Sequence, residues 1–332
     1  MRAAVLERYG EPLVLTDVPE PSPGDGEALV RVRSVGLCGT DLKLVSGAFP
    51  EIPLPLIPGH EVAGEVVSSD GGSPAGERVS CYVYETCGSC RHCASGRTTL
   101  CPGRVRIGLE RPGGLAEYIA VRAENLLPLP NSVSFERGAV SMDAVVSPWM
   151  ALRHRARIEP GERLVIAGVG GLGIHGLQIA VSEGLSVAVL DPLESHLARA
   201  RELGAELAVT PDEVERLYRW AADGVDAALE TSGARPGFDA AVSCLRRGGR
   251  IVCCGYHPGL EYGLDSRRLV IEELVIMGSV NATREAASEA LLAVADGSVV
   301  PVIAESMPLD AVNDALARLR SGEADGRVVL EV

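Results

Sequence analysis

Leu164-Val165-Ile166-Ala167-Gly168-Val169-Gly170-Gly171-Leu172-Gly173 is the stretch on which the fold turns. Its apolar start predicts a buried strand. The G-x-G-x-x-G that follows predicts a tight turn into a helix over residues 174–183. Glycines there let the backbone approach a pyrophosphate, and a helix N-terminus offers N–H groups and the positive end of its dipole. The pattern alone is weak; its place between an apolar strand and a helix gives it force. Gly168, Gly170, Gly171 and Gly173 are therefore expected to cradle a dinucleotide. The next predicted strand, 186–190, ends at Asp191. A carboxylate there can accept hydrogen bonds from both adenosine ribose hydroxyls and repels a 2'-phosphate. Pro192 and Leu193 follow, with no Arg or Lys, so NAD is expected in preference to NADP. The competing reading of Asp191 is an ordinary strand-end acid.

Working outward, short apolar runs at 163–167, 186–190, 225–229 and 250–254 alternate with helical stretches. That pattern predicts a doubly wound parallel sheet of α/β class, covered on both faces. The first third differs. It is rich in Pro and Gly, with β-like runs at 28–35, 65–67, 78–80 and 116–121 between turn clusters at 21–26 and 69–73. It predicts a mostly-β domain. Residues 135–157 read as helical. The tail reads as a helix (284–296), a short β piece (299–304), a helix (309–321) and a terminal strand (326–332).

Two clusters suggest metal. Ile57-Pro58-Gly59-His60-Glu61 places an imidazole and a carboxylate side by side, and Cys38 lies upstream in Gly36-Leu37-Cys38-Gly39-Thr40-Asp41. Thiolate, imidazole and carboxylate are the donors a catalytic zinc takes. Cys87, Cys90, Cys93 and Cys101 form C-x2-C-x2-C-x7-C, a compact loop able to close a tetrahedron around a second, structural zinc. Iron–sulfur proteins use clustered cysteines at other spacings. With four thiolates present, His92 is not needed as a ligand.

Composition narrows the function further. The chain has 332 residues, enough for two ordinary domains, and a net charge of −14. No basic face for nucleic acid or anionic lipid is expected. No apolar run approaches the roughly 18–20 residues of a membrane span. Residues 1–7 lack the apolar segment of a secretory signal, so a cytoplasmic location is expected, with the nine cysteines as thiols or ligands.

These pieces together resemble the zinc-containing medium-chain alcohol/polyol dehydrogenases over essentially the whole chain. The resemblance rests on Cys38-Gly39-Thr40-Asp41, Gly59-His60-Glu61-Val62-Ala63-Gly64, the four-Cys loop, Gly113-Gly114-Leu115-Ala116-Glu117-Tyr118, the glycine loop and Gly326-Arg327-Val328-Val329. It implies a GroES-like catalytic domain over residues 1–150 and 284–332 and a Rossmann domain over 151–283. It supplies Asp143 as the third ligand of the catalytic zinc beside Cys38 and His60, with Glu61 as an alternating ligand. It assigns Thr40 to hydrogen-bonding the substrate oxygen at the head of a proton relay. Many members end that relay in a His five residues after the Cys; here Lys43 stands there, so a relay, a ribose contact and a solvated Lys remain open. The resemblance implies a homo-dimer or homo-tetramer and a secondary alcohol substrate. Cys38 to Lys43 followed by Ser46-Gly47-Ala48-Phe49-Pro50 looks most like the aminocyclitol dehydrogenases, which act on 2-deoxy-scyllo-inosamine in antibiotic biosynthesis. Sorbitol- and threonine-type substrates are the rivals. A zinc-free reductase would lack the ligands, and a non-enzymatic cofactor-binding protein would have a broken metal site.

Overall fold

Strand Arg163–Ala167 stands inside a six-stranded sheet in the computed structural model, which describes residues 1–322 and 324–332. The order is Leu207–Val209, Ser186–Leu190, Arg163–Ala167, Val225–Glu230, Leu245–Cys253, Val275–Gly278, and every neighbouring pair is parallel. Parallel neighbours need crossovers. Helices Gly173–Ser182, Glu194–Glu202, Val214–Trp220, Arg235–Ser243 and Ser266–Ile271 occupy them. Leu164, Val165, Ile166 and Ala167 are all fully buried, which is why the run is apolar without alternation. The chain winds from Arg163–Ala167 out to Leu207–Val209, then returns to Val225–Glu230 on the other side. That reversal is the switch point of a doubly wound Rossmann sheet, and the glycine loop leaves the sheet there.

The other sheet has seven strands. Its main path runs Ile303–Pro308, Arg327–Glu331, Glu27–Leu37, Glu61–Ser69, Arg78–Cys81, Leu126–Pro128, and Tyr118–Arg122 pairs off Glu27–Leu37. All contacts along it are antiparallel except the first, between Ile303–Pro308 and Arg327–Glu331. Leu6, Leu37, Leu44, Ile107, Leu115 and Ile119 fill the core beside it. Aliphatic packing is what a chain with only three Phe can provide.

The chain divides into Met1–Asp143, Thr283–Ala295 and Ile303–Val332 on one side and Ala144–Ala282 with Asp296–Val302 on the other. The sequence reading put the border between 150 and 151. The structure puts it at Asp143, inside a continuous run of helical turns, where no turn residue marks an edge. That run is α over Phe135–Val140, π over Ser141–Val145, α over Val146–Trp149 and π over Met150–Ala156. The tail also departs from expectation. Residues 299–302 are not a strand; the strand starts at Ile303, and Val300 meets the side chain of Gln178 instead of a sheet neighbour. No helix among the described residues is long and apolar enough to cross a membrane.

Candidate active site and metal centres

Antiparallel pairing explains how residues far apart in sequence meet. Glu27–Leu37 pairs with Glu61–Ser69, where Gly36 faces Glu61, and with Arg327–Glu331, where Leu37 faces Val328. The end of the first strand thus lies beside the starts of the other two. Cys38, His60, Glu61 and Arg327 emerge at that common edge. Asp143 joins them from the π turn Ser141–Val145, whose extra residue re-aims side chains. One donor atom from each of Cys38, His60, Glu61 and Asp143 lies within 4.8 Å of the others.

Neighbours hold each group in place. Cys38 caps helix Gly39–Val45, its Sγ accepting from Thr40 N at 3.2 Å, while Asp41 Oδ2 accepts from Cys38 N at 2.9 Å. The other Asp41 oxygen stands 3.3 Å from His60 Nδ1, and His60 Nε2 faces Cys38 Sγ at 3.1 Å. A carboxylate behind an imidazole fixes the ring's tautomer and makes the far nitrogen a better ligand. Gly36 clears room for Glu61, because a Cβ there would sit 2.0 Å from Glu61 Oε2. The buried Arg327 guanidinium reaches Glu61 Oε1 at 3.0 Å and Asp143 Oδ2 at 2.9 Å. Sequence reasoning gave no role to Arg327 or Asp41. The available signals were a charged residue opening an apolar strand and an acid three residues after the Cys.

The charges do not balance by themselves. Ionised, Cys38, Asp41, Glu61 and Asp143 carry four negative charges. Arg327 and the half-buried Lys43, whose charge acts on Cys38 and Asp143, carry two positive ones. With His60 neutral, as a metal ligand is, two positive charges are missing, in a place where Cys38, Asp41, His60 and Glu61 are at most 5% exposed. Unbalanced buried charge is costly, so protons make up the difference when no cation does. Burial pushes the Glu61 carboxyl up to about 8 despite Arg327. Burial also raises the Cys38 thiol against the pull of His60. Burial opposes charge on His60, yet Cys38 and Asp41 hold its pKa well above the ordinary value. Among the described residues, Glu61 Oε1 and Oε2 and His60 Nδ1 are buried without a well-formed hydrogen bond. A divalent cation restores the balance, and this donor set is one zinc accepts.

Cys87, Cys90, Cys93 and Cys101 form the second cluster, their sulfurs also within 4.8 Å of one another. The Cys90–Cys93 and Cys87–Cys101 sulfur pairs are 3.5 Å apart. A disulfide needs about 2.05 Å. A tetrahedron of thiolates at about 2.3 Å from a zinc has edges close to the observed spacing. Cys90 caps the short helix Arg91–Ala94, which turns Cys93 back toward it. Backbone N–H groups of Ser89 and Cys90 bring the Cys87 thiol down to about 6, so one thiolate is ready before any metal arrives. His92 meets Arg91 Nε instead, at 3.3 Å.

The glycine loop is clamped at three points. Thr231 Oγ1 donates to Gly168 O at 2.6 Å, Val169 N donates to Asp191 Oδ2 at 2.8 Å, and His175 Nδ1 meets Gly171 O at 2.8 Å. A Cβ on Gly173 would stand 1.8 Å from Gly168 O, whereas one on Gly170 would meet only His196 Cε1, at 3.9 Å. Packing within the chain therefore explains Gly173 but leaves Gly170 open for an approaching ligand. Asp191 is more occupied than expected. Its Oδ1 accepts from Leu193 N at 3.0 Å and from His196 Nδ1 at 3.1 Å. With Val169 that fills three of its roughly four acceptor positions.

Comparison with known proteins agrees with this architecture. The Alcohol dehydrogenase GroES-like domain family matches residues 24–131, and the Zinc-binding dehydrogenase family matches residues 171–322. An alcohol dehydrogenase of Geobacillus stearothermophilus is 37% identical over 339 residues, covering 100% of both chains. An L-threonine 3-dehydrogenase of Yersinia pestis (strain Pestoides F) is 30% identical over 347 residues, covering 99% of each. The crystal structure of an NAD-dependent alcohol dehydrogenase superposes with a TM-score of 0.92 at 30% identity, covering 100% of both chains. The chain belongs to the zinc-containing medium-chain alcohol dehydrogenase family. It is a zinc-dependent dehydrogenase of CH–OH groups with a nicotinamide cofactor.

The two clusters share no residue, so they are expected to fill independently. Metal analysis by mass spectrometry should find two zinc ions in the wild type. Cys87→Ser should retain one and lose thermal stability; His60→Ala should retain the other. Loss of both ions from Cys87→Ser would contradict independent sites.

Proposed function

We propose that the chain oxidises a secondary hydroxyl of a polyol or amino alcohol to a ketone, with Cys38, His60 and Asp143 holding the catalytic zinc and Glu61 beside it. The observation that carries this is the four-donor cluster, buried at Cys38, His60 and Glu61, with its deficit of two positive charges. Zinc bound there supplies a Lewis acid for the substrate oxygen, and NAD supplies the hydride acceptor. Asp41 orients His60, and Arg327 restrains Glu61 and Asp143. Thr40, on the first turn of the same helix and partly exposed, holds the substrate oxygen through its hydroxyl and takes its proton onward. Lys43, in the last turn, places its charge near Cys38 and Asp143. NAD is favoured over NADP by Asp191, whose remaining acceptor position serves a ribose hydroxyl.

The resemblance around Cys38 to Pro50 supports an aminocyclitol such as 2-deoxy-scyllo-inosamine. The L-threonine 3-dehydrogenase relative supports the wider class of amino alcohols with a secondary hydroxyl. The test is a panel of 2-deoxy-scyllo-inosamine, sorbitol, L-threonine, 2-butanol and ethanol with NAD and with NADP, read by absorbance of the reduced cofactor. The highest kcat/KM should fall on a secondary amino alcohol with NAD. A higher value for ethanol than for every polyhydroxy or amino substrate would sink the substrate class, and a preference for NADP would sink the role of Asp191.

Lys43→Ala should lower kcat on the best substrate of that panel by about 10²-fold, the scale of losing one preorganised charge that offsets a developing oxyanion. Lys43→Arg, which keeps the charge, should recover part of the loss. A variant with wild-type kcat would remove Lys43 from the reaction.

We also propose a cytoplasmic homo-oligomer, supported by nine cysteines none of which forms a disulfide and by the outer strand of the parallel sheet. Val275–Gly278 lies at an edge, and Val270, Ile271, Val275, Ile276 and Val280 are 42–69% exposed around it. An unpaired apolar edge is an aggregation hazard unless something covers it, and a second copy offers a matching edge. Ile276→Lys should shift the wild-type sedimentation coefficient toward the monomer value. An unchanged coefficient would place any interface elsewhere.

A further inference from the structure

Helix Gly173–Ser182 carries two polar side chains three residues apart on its buried side, His175 at 0% exposure and Gln178 at 8%. Gln178 Oε1 accepts from Val300 N at 2.8 Å, and its Nε2 donates to Val300 O at 2.9 Å. The side-chain amide thus pairs with that residue as a neighbouring strand would. His175 Nε2 accepts from Val302 N at 2.9 Å, so that nitrogen carries no proton. The proton is then on Nδ1, which donates to Gly171 O at 2.8 Å. This tautomer follows from the partners. One neutral imidazole therefore ties the carbonyl of the glycine turn to segment Asp296–Val302, and Gln178 pins that segment in turn.

The consequence lies one atom further on. Gly171 C=O and Leu172 N–H share a single peptide plane and point in opposite directions across it. Holding the carbonyl toward the buried His175 turns the Leu172 N–H the other way, out of the turn. That N–H precedes helix Gly173–Ser182, where backbone donors and the helix dipole favour an anion. We propose that His175 is the positioning residue of the dinucleotide loop, fixing the Gly171–Leu172 peptide so that its N–H faces the cofactor's pyrophosphate. The proposal rests on the reading of Gly168 to Gly173 as the cofactor loop.

Three variants of the zinc-loaded protein separate the two bonds. His175→Asn keeps a donor near the place of Nδ1, His175→Gln keeps an acceptor near the place of Nε2, and His175→Phe keeps only the volume. The probe is NADH, titrated by calorimetry. His175→Gln and His175→Phe should bind it about ten-fold more weakly, the scale of one buried hydrogen bond. His175→Asn should stay within about two-fold of wild type. Stoichiometry reports the folded fraction separately, so a merely structural role would lower stoichiometry and leave the Kd of the remainder unchanged. Wild-type Kd in both His175→Phe and His175→Gln overturns the proposal. The underlying loop reading fails differently. In that case the wild type itself binds no NADH, or Gly170→Ala, whose Cβ would meet only His196 Cε1 at 3.9 Å, leaves the Kd unaltered; either result removes the proposal with it.

Discussion

A deficit of positive charge in a dry place governs the catalytic unit. Three carboxylates and a thiol gather at one strand edge, and among the described residues Arg327, Lys43 and, when protonated, His60 stand against them. Hydrophobic residues of similar volume would pack there at lower cost. On the proposed reading, a divalent cation would complete the arrangement, and the same cation is what the family's chemistry requires. Much of the local structure follows from this need. Gly36 yields space to Glu61, Asp41 closes a helix cap and backs an imidazole, and a π turn brings Asp143 within reach.

On the proposed reading, the nucleotide unit would meet its ligand in the opposite manner. Its loop offers few formal charges. It offers peptide N–H groups and a helix terminus, set at the switch point of the sheet and clamped through Thr231, Asp191 and His175. Partial charges fixed in direction suit a pyrophosphate without creating a strongly basic surface, in keeping with a chain of net charge −14. Even the buried histidine is used in its neutral form, as donor on one side and acceptor on the other.

What was legible in the sequence tracks how local each signal is. Strands Arg163–Ala167 and Ser186–Leu190 were readable because both faces are buried and the run is apolar throughout. The four-Cys loop was readable because its members lie within fifteen positions of one another. Cys38, His60 and Glu61 were recognisable as donor types, but Asp143 entered only through resemblance, since π geometry leaves no periodic mark. Arg327 was invisible as a partner because its acids lie 184 and more residues away. Residues 299–302 looked like a strand because Val299 and Val300 favour extended backbone; two side chains of a helix satisfy them instead, a competition no local pattern records. Strand Val275–Gly278 went unassigned although Leu274 to Met277 is apolar throughout, because so short a run does not separate a strand from a buried helical turn.

The charge count also bears on Lys43. With a divalent cation bound, the cluster is neutral only if Lys43 keeps its proton. Burial works against that charge and lowers the Lys43 pKa, while Cys38 and Asp143 support it. The ammonium is therefore favoured by the same anions that would hold the metal, at longer range than Arg327, which touches two carboxylates directly. Arginine stays charged at any working pH and serves as the fixed counter-charge; lysine gives up a proton far more readily. When a substrate hydroxyl loses its proton, the site gains one negative charge, and a nearby ammonium can offset it. On the proposed reading, the two basic residues thus divide the work: Arg327 restrains the ligands, and Lys43 answers the charge that appears only during reaction.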